Sequence, residues 1–386
     1  MKKYLSFAVW CSCLLAACTS SPQYNLTGTL TGIQSDTLLV RSFAINPLSR
    51  PQIVTDTVPL KDGKFALQLG DSVLNQVVIM EKPSLVPDAQ GRIPAISMDA
   101  ISFVLLPGKK VVVNGSLDGY TLGGDAFYDT YSQLLTQKKV YEHKLDSLRD
   151  VCREMEQKGI AEDSIRRVYA PAEGWERSMT QVSTDYIRRH PNQDLSVFLL
   201  AQTPLDLEVV DSLLKMLSEN VRTGVMQPLY QTIQSECEKG KARQQALEKV
   251  KEGMPAPDFM LKDIQGNDFS LSSAKGKYVI LDFWGSWCGW CIKGLPDMKK
   301  AYRKYKHKVV FVGIDCNDTE EKWKQAVAAH GIPWVNVRNA GQPEVAVMYG
   351  VSGYPTKIVI DRQGNIQKRV VGEDGEFYEY LDEIMR

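Results

Sequence analysis

The hydrophobic pattern changes period twice along the chain. From Tyr24 to about Gly124, short β-rich runs alternate with turn residues: YNLTGTLTGI, DTLLVRSF and QVVIMEK. Asp62-Gly63 stands between two such runs in VPLKDGKFALQL, a hairpin signal, and Pro107-Gly108 repeats the arrangement in ISFVLLPGKKVVVNG. Helical periodicity is nearly absent. The pattern predicts an N-terminal antiparallel β domain, sandwich-like or barrel-like, over residues 24–124. No chemical constellation stands out in it.

Beyond Gly124 the period lengthens. Phe127, Tyr131 and Leu134 recur at helical spacing, and Tyr141, Leu145, Leu148, Cys152 and Met155 continue the stripe. On that stripe Cys152 reads as a buried small hydrophobe. Trp175, Met179, Val182 and Tyr186 predict a second helix stopped near Pro191. SVFLLAQ and DLEVVDSLLKMLSEN predict two more, the latter with Asp206 as N-cap. Charged residues thicken from Glu236 to Glu252, which predicts a helical, solvated linker. Residues 125–252 thus form a central α-helical region and linker.

At Gly253 strands return, now separated by helices. A Pro-rich loop leads to DFMLKD and a turn at Gln265-Gly266-Asn267. YVILDFW is a continuous apolar run broken by one acid, as expected of a strand buried on both faces. After Gly285-Ser286-Trp287 a helix should begin at Cys288. VVFVGID, TEEKWKQAVAAHG, the hairpin YPTKIVIDRQGNIQKRVVG and the helix FYEYLDEIM follow. The order β-α-β-α-β-β-α predicts a C-terminal α/β thioredoxin fold over residues 253–386.

Composition adds little to this picture, and the N-terminus adds more. The chain has 386 residues, 44% apolar and 24% charged, which suits a multidomain globular protein. Its 46 basic and 46 acidic side chains cancel, so no nucleic-acid partner is implied. GxxxxGK[ST] and GxGxxG motifs are absent. Lys2 and Lys3 precede an apolar run, Tyr4 to Leu15, that is too short to span a bilayer comfortably. It closes on LAAC, which resembles the lipobox of a bacterial lipoprotein signal. That resemblance implies a signal peptide over 1–17, lipid on Cys18 and a tether over 18–23. The mature chain would carry a net charge of −2, because only Lys2 and Lys3 are lost from the charged set.

Export reshapes the cysteine count. Cys11 and Cys13 leave with the signal and Cys18 is alkylated, so five thiols remain: Cys152, Cys237, Cys288, Cys291 and Cys316. An odd number with one close pair is not a disulfide framework. His143, His190, His307 and His330 are scattered, and no second cysteine pair exists, so no metal site is expected. Cys288 and Cys291 lie one helical turn apart, a spacing that admits a disulfide. At a helix N-terminus the Cys288 thiolate is favoured by unpaired N–H groups and the dipole, which predicts a pKa below the free value of about 8.5. Cys291, inside the first turn, is expected to be the more buried and to stay protonated until needed. Asp282, a lone acid in an apolar strand, could take its proton. Pro355 opens the later strand and can be cis. The backbone around Tyr354 could bind an extended substrate chain, strand to strand.

APDFMLKDIQG, FWGSWCGWC, the helical Pro296 and GYPTKIVIDRQG resemble the thioredoxin superfamily, in particular the membrane-tethered TlpA/ResA-type thiol:disulfide oxidoreductases. The β domain loosely resembles the domain of unknown function that precedes such modules in Bacteroides-type lipoproteins. The resemblance covers about a third of the chain. It implies Cys288 as nucleophile, Cys291 as resolver, a redox-active Cys288–Cys291 disulfide and Pro355 as the cis-proline. Trp287, Gly289 and Trp290, with Tyr354, are the implied substrate-binding positions. No cofactor beyond the cysteine pair is implied. The partners implied are a protein or peptide disulfide, a membrane thiol relay and, through Cys18, the membrane. The implied location is the bacterial cell envelope, lipid-anchored and facing the periplasm.

Several positions depart from the family pattern. Trp290 stands where thioredoxin has proline. Phe311 replaces the lysine that usually pairs with the buried acid, which weakens the expected proton relay. Gly294 replaces a glutamate of the haem-maturation members. Cys316, after Asp315, reads as a strand-end residue, with a third reactive thiol as the alternative. Two other readings compete with the oxidoreductase. A thiol peroxidase shares the opening APDF but needs Thr or Ser at 285 and Pro at 281, where Gly285 and Leu281 stand. A binding or scaffold lipoprotein would use the thioredoxin-like domain to dock partners.

Overall fold

A computed structural model describes residues 24–46, 52–82, 99–340 and 344–386. The expected signal peptide and the lipid-bearing Cys18 lie outside these residues. The chain divides into two compact units, split in sequence between Ile233 and Gln234.

Among the described residues the first unit opens with eight strands: β1 (Leu26–Leu30), β2 (Thr37–Ala44), β3 (Val54–Pro59), β4 (Lys64–Leu67), β5 (Asn75–Glu81), β6 (Ala100–Leu105), β7 (Val111–Gly115) and β8 (Tyr120–Gly123). They form two four-stranded sheets, ordered β4-β1-β7-β8 and β3-β2-β5-β6. Alternate residues such as Leu38, Val40, Val77 and Ile79 are fully buried, as one-sided sheets require. The expected antiparallel pairing holds except between β1 and β7, which run parallel. The turn signals are real but do not make hairpins. Asp62 and Gly63 both adopt positive φ, and Lys61 and Lys64 exchange two 2.9 Å hydrogen bonds around them. Then β3 joins one sheet and β4 the other. Pro107-Gly108 likewise links β6 and β7 of different sheets. A local turn motif fixes a chain reversal; which sheet each arm joins depends on which apolar face it can bury.

Seven helices follow: α1 (Ala126–Gln157), α2 (Glu162–Tyr169), α3 (Ala172–Arg189), α4 (Asp194–Gln202), α5 (Leu207–Met216), α6 (Glu219–Thr223) and α7 (Gln227–Leu247). Asp206 is the N-cap residue of α5, though its side chain makes no capping hydrogen bond. Helix α1 fastens to both sheets. The Tyr128 hydroxyl donates to Val104 C=O at 3.1 Å and accepts from Leu106 N–H at 3.0 Å. The Ser132 hydroxyl donates to Leu122 C=O at 2.7 Å and accepts from Leu122 N–H. These bonds satisfy buried backbone groups at the ends of β6 and β8. Cys152 is buried on the α1 stripe, as expected.

The second unit starts within α7. The expected solvated linker is helical only to Leu247, and it is not wholly solvated. Cys237 is buried, Lys239 reaches Glu344 at 2.9 Å, Leu247 lies against Gly350, and Val250 enters the core. A hairpin of β9 (Met260–Lys262) and β10 (Asp268–Ser270) precedes the main sheet. That sheet comprises β11 (Tyr278–Trp284), β12 (Val309–Asp315), β13 (Val335–Arg338), β14 (Thr356–Ile360) and β15 (Ile366–Val371), ordered β13-β12-β11-β14-β15. Helices α8 (Gly289–Tyr305), α9 (Glu320–Ala329), α10 (Val345–Met348) and α11 (Gly375–Ile384) complete it. β13 and α10 were not foreseen; VNVR is too short to carry a period.

β11 pairs with β12 in parallel and with β14 antiparallel, so it is central. Its alternate residues feed two cores. Val279, Leu281 and Phe283 face one; Ile280 and Trp284 face the other, with α8 and α11. Alternation therefore turns Asp282 toward the α8 face. This is the thioredoxin arrangement, and it sets the geometry of the site.

Candidate active site

Cys288 is the N-cap of α8, with extended backbone, and its Sγ accepts from Cys291 N–H at 3.1 Å. The two sulfurs are bonded, with their Cα atoms 5.2 Å apart. Both residues are buried, Cys288 at 6% exposure and Cys291 at 5%. Residue exposure does not separate the two in the oxidised state, where the bond ties both sulfurs into one packed turn. Pro296 sits in the interior of α8, where it can give no N–H to the ladder.

The loop before the pair is pinned by the end of β12. Cys316 N–H donates to Trp284 C=O at 2.8 Å, and Trp287 Nε1 donates to Cys316 C=O at 2.9 Å. Ser286 gives its N–H and hydroxyl to Asp318 at 2.6 and 2.7 Å. Gly285 is required here, because a Cβ would overlap the Trp287 ring. The Cys316 thiol is buried and pushed well above its ordinary pKa by that burial. It fits the strand-end reading rather than that of a reactive thiol.

Around the pair the implied binding residues differ in exposure. Trp287 is 51% exposed and Trp290 61%. Trp287 meets the Tyr354 ring edge-to-face at 5.2 Å, which brings the Tyr354–Pro355 loop to the cysteine end of the sheet. That peptide bond is cis. Lys293 places its ammonium 4.7 Å from the Trp290 ring centre. Gly289 is the first residue of α8, with open space where a Cβ would be.

On the α8 face of β11, Asp282 is 7% exposed, and its Oδ1 has no hydrogen-bond partner among the described residues. Burial raises its pKa above the usual carboxylate range; Lys357 opposes the rise and Glu373 adds to it. The doubt raised by Phe311 is answered by another strand. Phe311 packs against Tyr302 and Trp334, while Lys357 on β14 lies in register with Asp282, its Nζ 3.8 Å from Asp282 Oδ1. Lys357 is itself buried and reaches Glu373 at 2.6 Å. Over Gly294 lies that same Glu373 carboxylate. Sequence reading missed Asp318, Lys357, Glu373 and Tyr378. Lys357 carried a usable signal: like Asp282, it is a lone charge in an apolar strand. The others come from loops and a helix whose approach only the fold sets.

The AhpC/TSA family model matches residues 253–369. The thiol-disulfide oxidoreductase ResA of Bacillus thuringiensis is 36% identical over 127 residues, covering 33% of this chain and 73% of that protein. The chain belongs to the ResA-type thiol:disulfide oxidoreductases, through a thioredoxin-like C-terminal domain. The thioredoxin-like protein YneN of Bacillus subtilis is 36% identical over 124 residues, covering 32% of this chain and 73% of that one. The thioredoxin domain of a thiol-disulfide oxidoreductase from Bacteroides vulgatus is 29% identical, with a TM-score of 0.34, covering 36% of this chain and 99% of that one. The residues matched by the family model lie within the second unit. Among the described residues there is no cluster of His, Cys, Asp or Glu that could hold a metal. No helix among them is long and apolar enough to cross a membrane.

Proposed function

We propose that this protein is a lipid-anchored thiol:disulfide oxidoreductase of the bacterial cell envelope, facing the periplasm, with Cys288 as nucleophile and Cys291 as resolver. The observation that carries the reading is the bonded pair at the N-cap of α8, together with a buried acid on the α8 face of β11 whose Oδ1 has no hydrogen-bond partner among the described residues. In the reduced enzyme the Cys288 thiolate attacks one sulfur of a protein or peptide disulfide. That disulfide breaks, its departing thiolate takes a proton from solvent, and a mixed disulfide forms. Asp282 then removes the Cys291 proton, and the Cys291 thiolate attacks Cys288 Sγ. The mixed bond breaks, the second substrate thiolate takes up the proton, and the Cys288–Cys291 disulfide is left. Two electrons pass to the substrate, and a membrane thiol relay restores the dithiol. The opposite direction uses the same residues and depends on relative potentials.

Exposed Trp287 and Trp290, with Gly289 between the cysteines' flanks, offer the surface that a substrate chain would meet. The backbone at Tyr354 would pair with it in extended form. Insulin reduction, with dithiothreitol as electron source, tests the reading. Wild type is expected to precipitate insulin chains well ahead of the reagent alone, and Cys288→Ser to match the reagent. Equal rates for the two proteins would overturn it.

A further inference from the structure

Two carboxylates compete for one buried cation, Lys357, on the α8 face of the sheet. Lys357 Nζ is 2.6 Å from Glu373 Oε2 but 3.8 Å from Asp282 Oδ1. The first is a hydrogen bond; the second is an ion-pair distance only. Glu373, in the loop between β15 and α11, is fixed in turn by Tyr378, whose hydroxyl donates to Oε1 at 2.8 Å. Asp282 Oδ1 is left buried without a hydrogen-bond partner among the described residues. Such an oxygen is costly, and a small shift of the flexible lysine end would satisfy it. The Glu373 carboxylate draws the lysine the other way.

The sequence makes room for this arrangement. Gly294 lies in α8, three residues after Cys291, so the two share a helix face. A Cβ at position 294 would overlap the Glu373 carboxylate. Glycine is a poor residue for a helix interior, and here its missing side chain is the space the acid occupies.

We propose that Glu373 is a positioning residue for the resolving step: it holds Lys357 away from Asp282 and so keeps an Asp282 oxygen open for the proton of Cys291. This rests on the reading of Asp282 as proton acceptor given above. The charged and titratable groups coupled to Asp282 are Lys357 from β14, Glu373 from the β15–α11 loop, Tyr378 from α11 and Cys316 from the end of β12. Without the Glu373 carboxylate, Lys357 can close on Asp282. The carboxylate then stays ionised to lower pH and is a weaker base.

The test follows the resolving step alone. Cys288 is loaded as a mixed disulfide with a chromophoric aromatic thiol, and its release by Cys291 is followed by stopped flow across pH. Glu373→Gln keeps the side-chain volume and can still accept from Tyr378 while removing the charge. Gly294→Ala attacks the same contact from the helix; it displaces only the end of a flexible side chain and improves helix propensity. Both variants are expected to move the acidic limb of the rate profile to lower pH, by about half a pH unit or more, and to slow the plateau several-fold. Asp282→Asn is expected to remove that limb. If Asp282→Asn shares the wild-type profile, the reading of Asp282 fails. If Asp282→Asn removes the limb while both other variants leave it in place or move it to higher pH, only the role of Glu373 fails.

Discussion

Two sites, one in each unit of this chain, bury polar side chains for opposite ends. In the first, Tyr128 and Ser132 each give and accept a hydrogen bond, and they close backbone groups that strand ends leave open. In the second, Asp282, Lys357 and Glu373 share charges unevenly, and Asp282 Oδ1 is left over. A fully satisfied polar contact stabilises and is then finished; an unsatisfied buried carboxylate oxygen is costly and can be relieved by taking up a proton. The thiols divide in the same way. Cys152 is packed within a helix, while Cys288 caps one.

The largest test of this contrast is catalytic. Cys288→Ser should abolish disulfide reduction, whereas Cys152→Ala should leave turnover unchanged and cost about 1 kcal/mol of stability. Loss of turnover in Cys152→Ala would erase the distinction. Next, Lys357→Met should destabilise the second unit by about 3–5 kcal/mol at neutral pH, since it strands one buried and one partly buried carboxylate. Urea unfolding of the oxidised protein should show the loss shrinking in acid, where the carboxylates become neutral. Tyr128→Phe should cost the first unit about 1–3 kcal/mol, with insulin reduction unaltered. Faster hydrogen exchange at the Leu106 amide is the local readout.

The smallest effect is a slope. Asp282 has a raised pKa in the folded state, so the folded protein binds more protons than the unfolded one between the ordinary carboxylate value and the raised one. Stability contributed by this group is therefore complete at low pH and is lost as pH rises through that window. Asp282→Asn lacks the titration. Its urea midpoint relative to wild type should climb from about pH 4 toward neutrality. A constant difference would show that Asp282 does not titrate there.

Much of the site was legible because its signals are local. The CGWC spacing, the helix start and the lone acid in YVILDFW each depend on a few neighbouring residues, and the chemistry follows from them. The partner of that acid was not legible. Phe311 pointed to a missing lysine, yet Lys357 arrives from the opposite neighbouring strand, 75 positions further along the chain. Similarly, the Asp62-Gly63 turn was legible as a reversal but not as a passage between two sheets.

By itself the sequence determined the two changes of period, the thioredoxin order of elements, and a thiol pair at a helix N-terminus. These follow from patterns within one strand or one helix, where side-chain direction is set by the backbone repeat. Only the tertiary structure decided that β1 and β7 run parallel, that the charged segment following α7 enters the second core at Val250, and that Glu373 fills the space above Gly294. Those outcomes depend on which distant segments exclude water from one another, and the electrostatics around Asp282 is then fixed by where three side chains from separate elements come to rest.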